Sequence, residues 1–403
     1  MPDDTTDAKP SNPPAGKARI FISAAELSGD RHAAALVREI RRLCPHADLF
    51  GVAGPEMQAA GCSAIEDLTS KSAMLVGAVR LLGHAWRLLG RVSRTLRQEA
   101  ADLAVLVDSP ALHLPMAKRL KRAGCPVLYY IAPQLWAWAP WRVRRLRRRV
   151  DRVAAILPFE EDYFRQRGVA AKYVGHPLVE QIADQRPDSE LVRGLRAAGS
   201  PVIACLPGSR SHVIQEVLPG QIEVARTIAS RHPRAVFLFA AVNGPAEAII
   251  RDMLSPGDSN AQIEVGHLPE VLTAADFALC ASGTATLEVA CHGVPMVVMY
   301  NGSKWGYRLV GRHLITTPHL SLVNILAGRR IVPEFMPYYD STEPIAAEAL
   351  DILANQTRRD AMKADLGQVV TSLGTSRAAE QTARMAMEMI GLAPDSSYNS
   401  TRG

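Results

Sequence analysis

Nowhere in its 403 residues does this chain offer the charge-free apolar run of about 20 residues that a membrane-crossing helix needs. Its opening stretch, MPDDTTDAKPSNPPAGK, is polar and proline-rich and has no apolar core of signal-peptide type. Residues 1–17 are therefore expected to form a flexible tail, and the protein to be kept in the cytoplasm. Cysteine is sparse: Cys44, Cys62, Cys125, Cys205, Cys280 and Cys291 form no CxxC pair. That disfavours a structural zinc site and suits small core residues in a reducing compartment. No other group of residues has metal-ligand spacing. No G-x-G-x-x-G follows the first apolar run, which disfavours the usual dinucleotide fold. The segment GSRS lacks the Lys and the preceding spacing of a Walker loop. Zinc-finger, KH and RRM signatures are absent, and so are internal repeats.

What remains is a chain of 48% hydrophobic residues, too apolar for disorder over most of its length. It is long enough for two ordinary domains. The formal net charge of +6 favours anionic partners, which include nucleotides, nucleic acid and anionic lipid surfaces. Short apolar runs alternate with helical patterns. ARIFISA, ADLFGVAG, ADLAVLVDSP, CPVLYYIAP, DRVAAILP and AAKYVGHP read as six strands. PVIACLPGSR, PRAVFLFAAV, AQIEVGHLP, DFALCASG and VPMVVMY begin a second series. This alternation predicts α/β architecture, with two doubly wound, largely parallel sheets facing a central cleft. The first domain is expected over 18–190 and the second over 198–375, with the boundary in the polar stretch near 185–198. The amphipathic segment 376–395 can pack on either domain, including by crossing back to the first.

In open parallel sheets, ligands sit beyond the carboxyl ends of the strands. The informative loops therefore follow FISA, VLVD, CLPG and ALCASG. In CLPGSR, small residues allow close approach, and Arg210 beside Ser209 can pair with a phosphate oxygen. A plain turn with a solvent-facing Arg fits the same residues. In ASGTATLE, Ser282, Gly283 and Thr284 can present backbone N–H groups to a diphosphate. Glu288, one helical turn on, can hold a ribose diol. An ordinary cap with a solvated Glu is the competing reading. In the first half, Glu26 follows the first strand within AAELSGD, and Asp108 ends the third. A carboxylate at a strand end is well placed as a general base. His113 can play that part instead, or be an ordinary hydrogen-bonded histidine.

Two basic regions stand apart. Over 80–100, Arg80, Arg87, Arg91 and Arg94 recur at helical spacing, with Leu81, Leu82, Trp86, Leu88, Leu89 and Leu96 as apolar surface. A basic amphipathic helix of this kind suits an anionic membrane interface. Over 141–152, Arg144, Arg145, Arg147, Arg148 and Arg149 form a denser cluster. A phosphate backbone would suit this run too, but no accompanying motif supports nucleic acid as a partner.

Taken together, ELSGD, FGVAGPEMQAAGC, VDSP, YYIAPQLWAWAPWR, ILPFE, YVGHP, LPGSR, ASGTATLE, PMVVMY and SLVNILAGRRIVPEF resemble the lipid-A-disaccharide synthase family, in that family's order over roughly 18–390. The resemblance implies an inverting glycosyltransferase of the two-domain GT-B fold. The donor would be UDP-2,3-diacylglucosamine, the acceptor 2,3-diacylglucosamine 1-phosphate, and the products the disaccharide 1-phosphate and UDP. It implies Asp108 as base and Glu26 as the acidic residue of the first loop. It puts Arg210, Ser282, Gly283, Thr284, Glu288 and Asn324 on the nucleotide side. It further implies no cofactor or metal, and peripheral attachment to the inner face of the inner membrane, with the acceptor side following Met74. Monomer and homodimer are equally open.

The chain departs from the family pattern at several positions. Ala111 and His113 stand in place of the DFN that usually follows DSP, with Leu112 between them. Val213 replaces a Glu, Val323 a Pro, Pro337 a Gln and Ala78 a Glu, and Ala25 stands where a Gly is usual. Glu216 lies three residues beyond Val213 and needs a different local path to take its place. The alternatives these changes admit are a GT-B enzyme acting on another UDP-sugar, transferase or epimerase, and a non-catalytic lipid- or nucleotide-binding relative.

Overall fold

The computed structural model describes residues 18–68, 78–138, 140–258, 260–302 and 317–392. It divides into two units, each built on one parallel sheet. The first sheet comprises β1 (Arg19–Ala24), β2 (Asp48–Val52), β3 (Ser63–Glu66), β4 (Leu103–Val107), β5 (Val127–Tyr130), β6 (Arg152–Ala155) and β7 (Ala171–Tyr173), in the order β3-β2-β1-β4-β5-β6-β7. The second comprises β8 (Val202–Leu206), β9 (Val236–Ala241), β10 (Ala261–Val265), β11 (Phe277–Ala281), β12 (Met296–Met299) and β13 (Glu334–Phe335), in the order β10-β9-β8-β11-β12-β13.

Helices cover both faces, so the central strands are largely apolar along their length rather than at alternate positions. β4 reads LAVLV, and all five residues are buried. Its two faces still part company by the period of two. Ala104 and Leu106 join one core layer with Phe21 and Tyr129. Leu103, Val105 and Val107 join the other with Ile20, Ile22 and Tyr130. The strands that the sequence pattern does not reveal are β3 and β13, of four and two residues, each at a sheet edge. There a strand needs only one apolar neighbour and leaves little periodicity to read.

The units divide at Pro177/Leu178 rather than within 185–198. The polar stretch expected to be a linker forms two helices, Pro177–Asp184 and Ser189–Ala197. Leu178 and Leu195 insert into the core of the second unit, so this stretch is part of that unit's cover. The second unit comprises Trp136–Trp138 and Leu178–Gly374. The chain then returns: Thr375 onward belongs to the first unit, where Ala383, Met385 and Met387 of the helix Ala378–Met389 are buried with Ala33, Leu36 and Val37 of the helix Leu27–Leu43.

Asp30 of the ELSGD segment has a structural task. It is fully buried, and its carboxylate accepts from the backbone N–H groups of Gly54 (3.0 Å), Glu56 (2.9 Å) and Met57 (3.3 Å). These N–H groups open the short helix Pro55–Ala59 and have no partner within it. Asp30→Ala would strand three donors around a buried void. The expected result is a destabilisation of the first unit by roughly 2–4 kcal/mol, read as a lower thermal midpoint; an unchanged midpoint would remove Asp30 from this role.

Candidate functional site

Strand order reverses between β1 and β4 in the first sheet and between β8 and β11 in the second. At such a reversal, neighbouring connections leave to opposite faces and open a crevice at the carboxyl edge. Most of the loop residues singled out in the sequence lie at these two places, and each place is a separate candidate site.

In the first unit, Ala24 of β1 pairs with Val107 of β4. Exposed Glu26 and half-buried Asp108 therefore leave adjacent strands at the same edge. The backbone at Asp108 is unusual. Asp108 has φ 54° and Ser109 has φ 46°, two consecutive non-glycine residues in the left-handed region. Each such residue costs about 1–2 kcal/mol, so local bonds must hold the pair in place. The Asp108 N–H donates to the Tyr130 carbonyl (3.0 Å). The Asp108 carbonyl accepts from the Tyr129 hydroxyl (2.6 Å) and from Nδ1 of His113 (2.7 Å). Ile131, beyond the neighbouring strand β5, is also left-handed at φ 59°. Strain of this kind gathers at functional sites.

His113 does not fit the part of a general base. It is fully buried, in the helix Pro110–Arg122. Nδ1 faces a carbonyl, which can only accept, so Nδ1 carries the proton. Nε2 is left to accept from the Ser23 hydroxyl at 2.9 Å. Burial lowers its pKa to about 4, so the ring stays neutral, with both nitrogens occupied.

In the second unit, Leu206 of β8 pairs with Cys280 of β11, and Ala281 of β11 pairs with Met299 of β12. The loops 207–210 and 282–284 and Tyr300 thus share one edge. Gly208 has φ 113°, and a Cβ there would lie 2.8 Å from Cγ1 of Val213, so both conformation and space require glycine. Ser209 and Arg210 follow, exposed, at the start of the helix Ser211–Arg231. Gly283 has φ 136°, and its carbonyl accepts from the Thr286 hydroxyl (2.8 Å), which fixes the turn. Ser282 is half-buried, and Gly283 and Thr284 are exposed. Glu288 sits half-buried in the first turn of the helix Ala285–Cys291, and burial raises its carboxyl pKa.

Two polar residues here, Tyr300 and Gln221, escaped the sequence reading. The Tyr300 hydroxyl donates to Glu216 (2.6 Å). Burial, helped by that bond, pushes the Tyr300 phenol up to about 12, against the pull of Arg210. The helix from Ser211 is continuous through both Val213 and Glu216, so Glu216 takes no alternative path. It lies one turn above Val213, which packs on the core. Gln221 is fully buried, and its amide donates to the carbonyls of Leu206 (3.2 Å) and Leu279 (2.9 Å), tying β8 to β11 beneath the two loops. A polar residue inside an apolar helix face was the available signal for Gln221.

Asn324 is a second correction. It is fully buried in the helix Leu322–Ala327. Its amide nitrogen donates to the Val332 carbonyl and to Glu334, both at 3.0 Å. Its oxygen accepts from the N–H groups of Ile331 (2.8 Å) and Val332 (3.0 Å). All four of its hydrogen-bonding positions are filled, so Asn324 holds the approach to β13 and has nothing left for a nucleotide. Val323 is core, and Ala111 is exposed in the first turn of its helix.

The basic regions also change on inspection. Leu88, Leu89 and Leu96 of the helix Ala78–Gln98 are buried in the first unit's core, so they offer no surface to a membrane. Arg87, Arg91 and Arg94 are exposed, and Arg91 pairs with the buried Glu66 (3.3 Å). Residues 69–77 and the side chains of Ala78, Arg80, Leu81, Leu82 and Trp86 lie outside the described residues. In the second cluster Arg144, Arg145, Arg147 and Arg148 are exposed beside Trp141, itself 54% exposed. Arg149 instead turns inward to the Leu114 carbonyl (3.1 Å). Among the described residues, no helix is long and apolar enough to cross a membrane.

Comparison with known proteins adds four findings. A family model described as lipid-A-disaccharide synthetase matches residues 20–389. A lipid-A-disaccharide synthase of Solibacter usitatus is 37% identical over 378 residues, covering 92% of this chain and 97% of its own. One of Myxococcus xanthus is 38% identical over 388 residues, covering 94% and 98%. Among solved structures, UDP-GlcNAc 2-epimerase from Neisseria meningitidis bound to UDP-GlcNAc superposes with a TM-score of 0.57 at 12% identity, covering 93% of this chain and 99% of that one. At that identity the likeness is one of fold alone.

The buried histidines give the first unit a defined acid response. His113 and His176 both have pKa values lowered by burial to about 4, from an ordinary value near 6.5. Between these limits the unfolded chain binds more protons than the folded one. Their share of stability is therefore complete above pH 6.5 and is lost as pH falls toward 4, by up to about 1.4 kcal/mol per pH unit for each histidine. Thermal midpoints measured across this window should fall with pH, and His113→Asn should flatten the fall. An equally steep fall in that variant would place the titration elsewhere.

Proposed function

Because the chain belongs to the lipid-A-disaccharide synthetase family, whose relatives are GT-B glycosyltransferases, we propose that its own residues carry out that transfer as follows. The donor is UDP-2,3-diacylglucosamine and the acceptor 2,3-diacylglucosamine 1-phosphate. Asp108 removes the proton from the attacking acceptor hydroxyl while the new bond forms at the donor's anomeric carbon. The bond from that carbon to the diphosphate breaks on the opposite face, so the configuration inverts and UDP leaves. A sugar hydroxyl is a weak nucleophile, which is why a positioned carboxylate is needed. Glu26, at the same edge, accepts from acceptor hydroxyls.

Charge develops on the departing diphosphate. Arg210, the hydroxyls of Ser209 and Ser282, and the N–H groups at Gly283 and Thr284 are the groups that meet it. Glu288 holds the ribose diol. Its raised pKa reflects a desolvated carboxyl, which bonds to a hydroxyl more strongly than a solvated one does. Glu216 accepts from Tyr300 one helical turn beyond Val213, so the position at which the family pattern has a Glu stays apolar in this chain. The observation that carries the reading is the strained Asp108–Ser109 backbone just beyond β4, at a strand-order reversal.

Trp141 with Arg144, Arg145, Arg147 and Arg148 is proposed to meet the anionic inner face of the inner membrane, where the acylated substrates reside. Co-sedimentation with anionic vesicles should be strong at low salt, and weak at high salt or when these four arginines are changed to Gln. Binding indifferent to both would assign the contact to another surface.

Turnover in detergent micelles, followed as UDP and disaccharide, tests the whole reading. Equal amounts of both products are expected. UDP without disaccharide would mean hydrolysis, and neither product would point to a non-catalytic relative. Asp108→Ala should lose about 10²–10⁴-fold in turnover while binding UDP normally. Arg210→Ala should instead weaken UDP and donor binding.

A further inference from the structure

We propose that His113 and Tyr129 are positioning residues that jointly hold the Asp108 carbonyl, and through it keep the Asp108–Ser109 backbone in the left-handed form that aims the Asp108 carboxylate. This rests on the reading of Asp108 as base.

A carbonyl oxygen has two lone pairs, and both are taken here, by the Tyr129 hydroxyl at 2.6 Å and His113 Nδ1 at 2.7 Å. The two donors come from different elements: Tyr129 from β5 beside β4, and His113 from the helix that follows Asp108. A third element, β1 on the other side of β4, supplies Ser23, whose hydroxyl bonds Nε2 at 2.9 Å and so keeps the proton on Nδ1. Ser23, His113 and Tyr129 are all fully buried, and the two rings meet edge to face at 6.4 Å. Water therefore does not compete for these bonds, and each ring restrains the other. The anchor acts on the backbone of Asp108 rather than on its carboxylate. The chain has His113 where the family pattern usually has Asn. An Asn side chain places an N–H donor at about the same distance from its Cβ as Nδ1, so it can reach the same carbonyl without the link to Ser23.

The variants Tyr129→Phe, His113→Leu and His113→Asn separate positioning from simple packing. Tyr129→Phe keeps the ring and removes one donor, and His113→Leu removes the other. Each should lower kcat by about tenfold or more with the donor KM within about twofold, since the donor is held by the second unit. His113→Asn should recover most of the loss. A kcat within twofold of the parent in both donor-deleting variants overturns the proposal, and so does equal loss in the Asn and Leu variants. If His113→Leu does not fold, Tyr129→Phe decides. A crystal structure of Tyr129→Phe/His113→Leu, or of Tyr129→Phe alone where the double variant does not fold, gives a readout that needs no activity. Asp108 and Ser109 should leave positive φ, and unchanged angles overturn the proposal. A parent protein that makes no disaccharide would sink the activity reading alone, and the backbone angles would still decide this one.

Discussion

Within each sheet every strand runs parallel to its neighbours, and both candidate sites depend on that constraint. A parallel sheet collects the carboxyl ends of its strands at one edge. The reversal of strand order between β1 and β4, and again between β8 and β11, opens that edge at one position in each unit. Glu26 and Asp108 are far apart in sequence, yet they become neighbours because Ala24 pairs with Val107. Arg210 and the 282–284 loop come to one edge for the same reason, through Leu206 and Cys280. Loops supply the functional groups, and hydrogen-bonded strands fix their spacing.

Beneath each loop lies a buried polar residue that makes its hydrogen bonds inside the protein. Asp30 caps a helix, Gln221 ties β8 to β11, Asn324 holds the approach to β13, and His113 holds the Asp108 carbonyl. An unpaired polar group in such surroundings is costly. These residues therefore shape the loops that solvent-facing residues use. Ligand contact and loop support are separate tasks here, although the residues that perform them lie close together in the sequence.

That separation explains what could be read from the sequence. The fold was legible because strands buried on both faces leave continuous apolar runs such as LAVLV and VIACL, and because glycine at Gly208 and Gly283 marks the turns. The loop residues that follow those runs were legible as candidates, and pairing of the strands places them at the carboxyl edge of each sheet. What could not be read is where a polar side chain points. His113 and Asn324 have the chemistry of ligands, and only their burial and filled bonds show otherwise. The apolar face of the helix Ala78–Gln98 was equally ambiguous, since Leu88, Leu89 and Leu96 suit a core as well as a lipid. The domain boundary was misplaced because the helix Ser189–Ala197 buries only Leu195 fully and carries Glu190, Arg193 and Arg196 among its other residues.

The return of the helix Ala378–Met389 to the first unit bears on how the protein is made. The second unit is, apart from Trp136–Trp138, one continuous stretch, so a ribosome delivers almost all of it in a single sequence. The first unit starts earlier and finishes later. Until residues 378–389 emerge, the face of the helix Leu27–Leu43 that will receive Ala383, Met385 and Met387 has no cover. The half that carries Asp108 thus waits, with apolar surface open, for the half that carries Arg210 to be synthesised. That interval is when a nascent chain is most open to chaperones or to aggregation.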